Sequence, residues 1–278
     1  EVDMIFLMSL NLVMNLVMNV VMNLSISSVM AAENEKLNVM EGSSSKWSGQ
    51  VTFSYLGAAI GTPFSEFAPN PGNELVAPRV ILSGQAGLRQ RLDEKSSWGV
   101  GFGLQVDTPF HRPQNFSMSN PQLDYAWSGE EFFQNVSVSR YTDLVYRELG
   151  YDYLFVYSGY KVWAILKSIS SGLQYAWTMT SFAFDSAFQS DQSVGVYPFL
   201  EYQIKQGLSL RSTFSLGAFH NRNPNQWNHF RLSQTLGAGF AYSQTLYFYP
   251  YIQFYPSPLA NLSSKETIWG ASMTLNLF

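Results

Sequence analysis

From Gln50 onward the chain alternates apolar with polar or small residues. Val51, Phe53 and Tyr55 interleave with Gln50, Thr52 and Ser54. Val80, Leu82, Ala86 and Leu88 oppose Ser83, Gln85, Arg89 and Arg91, and Trp98, Val100, Phe102, Leu104 and Val106 oppose Gly99, Gly101, Gly103, Gln105 and Asp107. The same rhythm runs through Leu173–Thr180, Leu208–Ala218 and Leu232–Tyr242. A period of two is the signature of a strand with two unlike faces. Several segments exceed ten residues, more than a usual globular strand and right for a tilted bilayer crossing of ~9–11 residues.

The connections differ in length. Short turns are expected at Asp93–Ser97, Ser170–Gly172, Gln206–Gly207 and Ser243–Thr245. Long connections are expected at Gly57–Arg79, Thr108–Glu131, Asp185–Ser193, His220–Phe230 and Pro256–Glu266. Counted back from Phe278, every short turn falls at one end of the strands, as in barrels with short periplasmic turns and long external loops. Residues 141–168 break the rhythm, because Tyr151–Tyr157 and Tyr160–Lys167 are apolar on both faces. Read as two strands they bring the total to about twelve; read as a plug or long turn they leave ten.

Composition agrees with a lipid-facing surface. Only 13% of the 278 residues are charged while 16% are aromatic, against roughly 25% charged in an ordinary soluble domain. A formal net charge of −4 gives no case for nucleic-acid binding. The chain has no cysteine, which removes disulfides and thiolate metal sites. Nothing in it calls for a cofactor or a metal.

Residues 4–31 are the one targeting-like segment. Met4 to Met30 carries no charge, and Val29-Met30-Ala31 suits a small-residue cleavage site. Asn11, Asn15, Asn19 and Asn23 recur every four residues, which would form one stripe of a helix if the segment were retained. Residues 1–31 are expected to be a signal peptide, 32–46 a polar periplasmic tail, and 47–278 a membrane barrel. Beyond Ala32 no apolar run approaches the ~18–20 residues of a spanning helix, so any crossing must be made by strands.

Trp269-Gly270-x-x-Met273-x-Leu275, ending on Phe278, resembles the C-terminal signal read by the barrel-assembly machinery of bacterial outer-membrane β-barrels. In many such proteins the last aromatic shares a face with the apolar residues before it, whereas Phe278 alternates out of phase with Leu275 and Leu277. The resemblance covers the last ten residues and the strand pattern. It implies the outer-membrane barrel superfamily, an all-β antiparallel up-and-down fold, an outer-membrane location, and partners in outer-membrane lipid and the assembly machinery.

Three constellations could carry chemistry. Arg89, Arg91, Asp107, Glu201, Lys205, Arg211 and Arg231 lie on the non-apolar faces of their strands. A basic side chain facing mid-depth lipid costs ~2–4 kcal/mol, so these seven are expected to point inward, lining either a channel or a lumen closed by salt bridges. His111, His220 and His229 could serve as bases for a lipid hydrolase, although neither Gly-x-Ser-x-Gly nor His-Glu-x-x-His occurs. Tyr247, Tyr249, Tyr251 and Tyr255 share a face with Gln253, opposite Leu246, Phe248, Ile252 and Phe254. Both faces of that strand are apolar, so the tyrosines could look inward toward a ligand or outward to lipid. Gly99, Gly101 and Gly103 lack a following helix for a phosphate loop and are expected to be a close-packed strip. Trp98, Trp177 and Trp269 are expected at the membrane interfaces. The leading functional expectation is a passive channel or small-solute transporter. A loop-histidine hydrolase and a structural or adhesive barrel acting through residues 109–131 are the rivals.

Overall fold

The computed structural model describes residues 46–69, 79–111, 115–129, 132–142, 147–148, 150–185, 190–222, 225–229, 232–256 and 263–277. The expected signal peptide, most of the polar tail, Arg231 and Phe278 lie outside them. The strands are β1 (Trp47–Ala59), β2 (Ile81–Arg91), β3 (Ser96–Asp107), β4 (Asn115–Ser128), β5 (Phe133–Arg140), β6 (Tyr151–Leu166) and β7 (Ile169–Phe182). They continue with β8 (Ser190–Lys205), β9 (Leu208–Asn221), β10 (Gln226–His229), β11 (Ser233–Ala241), β12 (Leu246–Phe254) and β13 (Ile268–Asn276). No helix among the described residues is long and apolar enough to cross a membrane.

Every strand pairs antiparallel with its neighbour, and β1 pairs β13 from Gln50↔Asn276 to Leu56↔Gly270. The sheet therefore closes on itself, and among the described strands β10 is paired on one side, with β9. β10 and β11 share one place in the wall. Both pair with β9, and Ala218↔His229 is followed by Ser215↔Ser233. The result is an all-β, twelve-stranded, antiparallel up-and-down transmembrane barrel. With an even strand number, β1 begins and β13 ends at the same end as the short turns.

The strand count agrees with the expectation, but two strands are assigned differently. Thr108–Glu131 is not a long loop, because Asn115–Ser128 forms β4. Residues 151–166 are one strand, β6, rather than two. The turn after β6 is Lys167–Ser168, and Ser170–Gly172 lie inside β7. In β4 the alternation changes phase. Gly101 and Gly103 of β3 face Gln122 and Ser119 of β4, so β4 carries one extra residue, beside Pro121. A bulge tolerates proline because no ladder hydrogen bond is needed there.

The fold inverts the usual placement of side chains. Phe102 and Leu104 are 57% and 59% exposed, whereas Thr274 and Ser233 are each 2% exposed. Apolar residues cover the outside of the wall and hydroxyls its inside, as an outer-membrane-type barrel requires. Aromatic groups mark both ends of the outer face. Trp47 and Trp98 meet edge to face at 6.2 Å near the short turns, where Trp98 Nε1 donates to Gln90 Oε1 at 2.8 Å. Tyr55 packs on Trp269 at 4.6 Å and on Phe110 at 5.8 Å near the long loops.

Candidate functional site

The inward face is fixed by register. Thr52 pairs Gln85 and Thr274; Gln85 pairs Gly103; Arg89 pairs Gly99, which pairs Asp124. On the other side of the wall Glu201 pairs Arg211, which pairs Gly237, which pairs Tyr251. These polar and small positions alternate with the exposed apolar ones, so they look into the enclosed middle.

Two ion pairs stand on this face near the short-turn end. Arg89 Nη2 lies 2.7 Å from Asp124 Oδ2, and its Nη1 donates to Ser97 Oγ at 3.1 Å. The pair spans two strands because Gly99 stands between them. A Cβ there would sit 2.8 Å from Asp124 Oδ1. Asp124 was not anticipated, because it falls in the segment expected to be a loop; its alternation with Leu123, Tyr125 and Trp127 was the signal available. Arg211 Nη2 lies 3.2 Å from Glu201 Oε2, and its guanidinium sits 4.1 Å above the Phe199 ring. Arg211 is only 7% exposed, so the carboxylate and the ring face offset the loss of hydration.

The remaining candidates are spread along the barrel. Arg91 pairs Ser97 near the short turns. Asp107 pairs Ile81 at the long-loop end and accepts from Gln105 Nε2 at 2.9 Å. Lys205 lies at the end of β8 beyond an irregularity. Among the described candidates the structure brings Glu201 and Arg211 together and leaves Arg89, Arg91, Asp107 and Lys205 apart from them.

Between the ion pairs the wall is uncharged and polar. Gln50 Nε2 donates to Asn276 Oδ1 at 3.0 Å, and the Thr52 and Thr274 hydroxyls meet at 3.4 Å. Ser215 Oγ, Asn135 Oδ1 and Asn221 Oδ1 are buried with no protein partner among the described residues. Gly87 and Gly101 pair with each other. Side chains added there would meet only strand backbone, at 3.7 and 3.5 Å, and Gly87 is exposed although it looks inward.

The tyrosine row turns inward. Tyr247, Tyr249 and Tyr251 pair Thr274, Ser272 and Gly270, and stack along the strand at 6.5 and 5.9 Å. Their rings recline over Gly239, Gly237 and Gly270, where a Cβ would collide with them. Tyr249 is 3% exposed as a result. The row is wall packing of the aromatic-over-glycine kind.

At the long-loop end the described part of the β1–β2 connection dips inward. Ala68 packs on the inward-facing Leu56 and Ile268, with Tyr255 alongside. Val80 N donates to Glu66 O at 2.9 Å, and His111 ties the same loop through the Phe64 carbonyl and through Glu66 Oε1 at 3.5 Å. His111 is therefore a loop tie. His220 stands on the outer face near the rim. Its Nδ1 lies 2.6 Å from Asp191 Oδ1 and its Nε2 2.6 Å from Asn225 Oδ1, with Trp227 beside the ring at 5.3 Å. Ser190 Oγ donates to the His220 carbonyl rather than to the imidazole. His229 pairs Ala218 on the same outer face. No cluster of three metal-ligating side chains occurs among the described residues.

No protein-family model and no curated protein matches the chain. Solved structures do. The barrel is similar to an outer membrane channel from Pseudomonas putida, with a TM-score of 0.56 and 11% identity over 84% of this chain and 97% of that one. It also aligns with the NanC porin, at a TM-score of 0.44 and 7% identity over 83% and 98% of the two chains. A third alignment is with LpxR from Salmonella typhimurium, at 0.43 and 10% over 82% and 99%. At 11% identity the first of these likenesses speaks to fold alone, and the fold it shares is a closed antiparallel β-barrel.

Proposed function

We propose that this chain is a bacterial outer-membrane channel for small solutes. The observation that carries the reading is an inner face suited to water. Gly87 is exposed on that face, and Gln50, Thr52, Thr274 and Asn276 line it with carboxamides and hydroxyls. A barrel held only for structure could fill its middle with apolar side chains instead. On this reading the N-terminal segment directs export, Trp269, Gly270, Met273, Leu275 and Phe278 serve insertion by the assembly machinery, and Arg89, Arg91, Asp107, Glu201, Lys205, Arg211 and Arg231 line the path or its mouths. Planar-bilayer recording of the purified chain tests it. Discrete conductance steps are expected, and a silent bilayer containing correctly folded protein would refute it.

A hydrolase reading has one observation in its favour, the 2.6 Å contact of His220 Nδ1 with Asp191, which is the orienting half of a nucleophilic site. Its Nε2 faces Asn225 rather than a hydroxyl. Lipid hydrolysis that disappears in His220→Ala would establish this reading, and we expect no turnover in either protein. The adhesive reading loses the surface it needed, since residues 115–128 are wall.

A further inference from the structure

We propose that the pore is nearly indifferent to ionic charge and serves uncharged, hydrogen-bonding solutes of the polyol or carboxamide class. The proposal rests on the channel reading and deepens it. The described strands carry four basic side chains on this register, Arg89, Arg91, Arg211 and, past the irregularity at the end of β8, Lys205, against three acidic ones, Asp107, Asp124 and Glu201. The signs therefore come within one charge of balance. Two basic groups are also neutralised locally, Arg89 by Asp124 at 2.7 Å and Arg211 by Glu201 at 3.2 Å. Each pair is closed to well within the Debye length of ~8 Å at physiological salt. A permeating ion meets dipoles there, whereas ion selection needs a ring or cleft of one sign.

The wall between these pairs carries donors and acceptors without charge. Asn276, Gln50, Gln85 and Gln122 stand half-buried on the inward faces of β13, β1, β2 and β4. A carboxamide both donates and accepts, so such an arc can exchange hydrogen bonds with hydroxyl-rich or amide solutes as they shed water. It offers nothing comparable to a bare carboxylate or ammonium, whose dehydration only an opposite charge repays.

The test is a reversal-potential measurement on the full chain in planar bilayers under a potassium chloride gradient. A cation-to-anion permeability ratio within about threefold of unity is expected, and a larger bias in either direction would overturn the proposal. Asp124→Asn and Glu201→Gln, made separately so that loss of one to misfolding leaves the other, each unmask an arginine. Each should shift the ratio toward anions by about threefold or more, and an unmoved ratio in a folded variant would overturn the proposal as well. Liposome swelling supplies the solute arm. Arabinose should enter faster than gluconate of similar bulk, and equal or reversed rates count against the proposal. Absence of any conductance would instead remove the channel reading beneath it, so the two failures are distinguishable.

Discussion

At the scale of single residues the inner wall is a fit between rings and missing side chains. Tyr249 reclines over Gly237, and the register that pairs Gly237 with Tyr251 and Arg211 leaves the ring no other bed. A Cβ at Gly237 would strike the Tyr249 ring, and with Tyr249 3% exposed the ring has nowhere to swing. Gly237→Ala should therefore destabilise the barrel by about 1–3 kcal/mol, the usual cost of overpacking. Gly87→Ala is the matched control. Its nearest neighbour would be a carbonyl oxygen at 3.7 Å, so its effect should stay within about 0.5 kcal/mol. Urea unfolding in lipid vesicles reads both, and equal effects would mean that the rings are not seated on the glycines. The same geometry explains why the direction of the tyrosine row was not legible in the sequence. With Leu246, Phe248, Ile252 and Phe254 on the other face, alternation had no polar side to mark inward, and only pairing with glycines on both neighbouring strands does so.

At the scale of elements, turns and loops hold the strands in register. The β2–β3 hairpin turns on Asp93, whose Oδ1 accepts from the Lys95 and Ser96 amides at 2.7 and 2.8 Å and whose Oδ2 accepts from Ser96 Oγ at 2.6 Å. The Ser96 hydroxyl and then the Lys95 amide hold the carboxyl below its usual range. A depressed carboxyl stabilises the fold at every pH above its unfolded value of about 3.9, and that contribution fades as pH falls through the lower folded value. Amide protection at Lys95 and Ser96 should thus drop in acid in the wild type, and Asp93→Ala should show the lower protection already at neutral pH. At the opposite end His111 ties the β1–β2 loop near the barrel mouth. On the channel reading proposed above, His111→Ala should free that loop and raise single-channel conductance or its noise, and an unchanged trace would show that the tie does not hold the mouth. Strands with unbroken alternation, β1 to β3, β7, β9 and β11, were legible in the sequence. β4 was not, because its bulge moves the apolar set from Phe116 and Met118 to Leu123, Tyr125 and Trp127. β6 was read as two strands because Leu154 and Val156 make its inward face apolar where it meets Tyr141, Tyr151 and Phe182. The missed β4 also hid Asp124, and with it half of the Arg89 ion pair.

At the scale of the whole molecule one inversion organises most of the wall: grease outside, and hydroxyls, carboxamides, tyrosines and paired charges over most of the inside. It accounts for the low charge content, since most of the wall must meet hydrocarbon; the even strand number follows separately from the antiparallel closure of β1 on β13. It also explains why the inward charges were legible as a set while their pairing was not. Alternation assigns a face, but only closure of the sheet decides which strands become neighbours across a glycine. The inversion predicts opposite fates for one substitution made on two faces. Phe102 and Gln85 both sit mid-strand on adjacent strands, Phe102 57% exposed on the outer face and Gln85 on the inner. Phe102→Arg places a guanidinium at mid-depth in lipid and should cost about 2–4 kcal/mol. Gln85→Arg places the same group in a polar interior beside Thr52 and should change stability by less than about 1 kcal/mol, while adding positive charge to the path that the channel reading proposes. Folding into lipid vesicles, followed by tryptophan fluorescence against urea, separates the two. If both variants folded equally well, or if Gln85→Arg were the damaging one, the faces would be assigned the wrong way round, and the channel reading would fall with them.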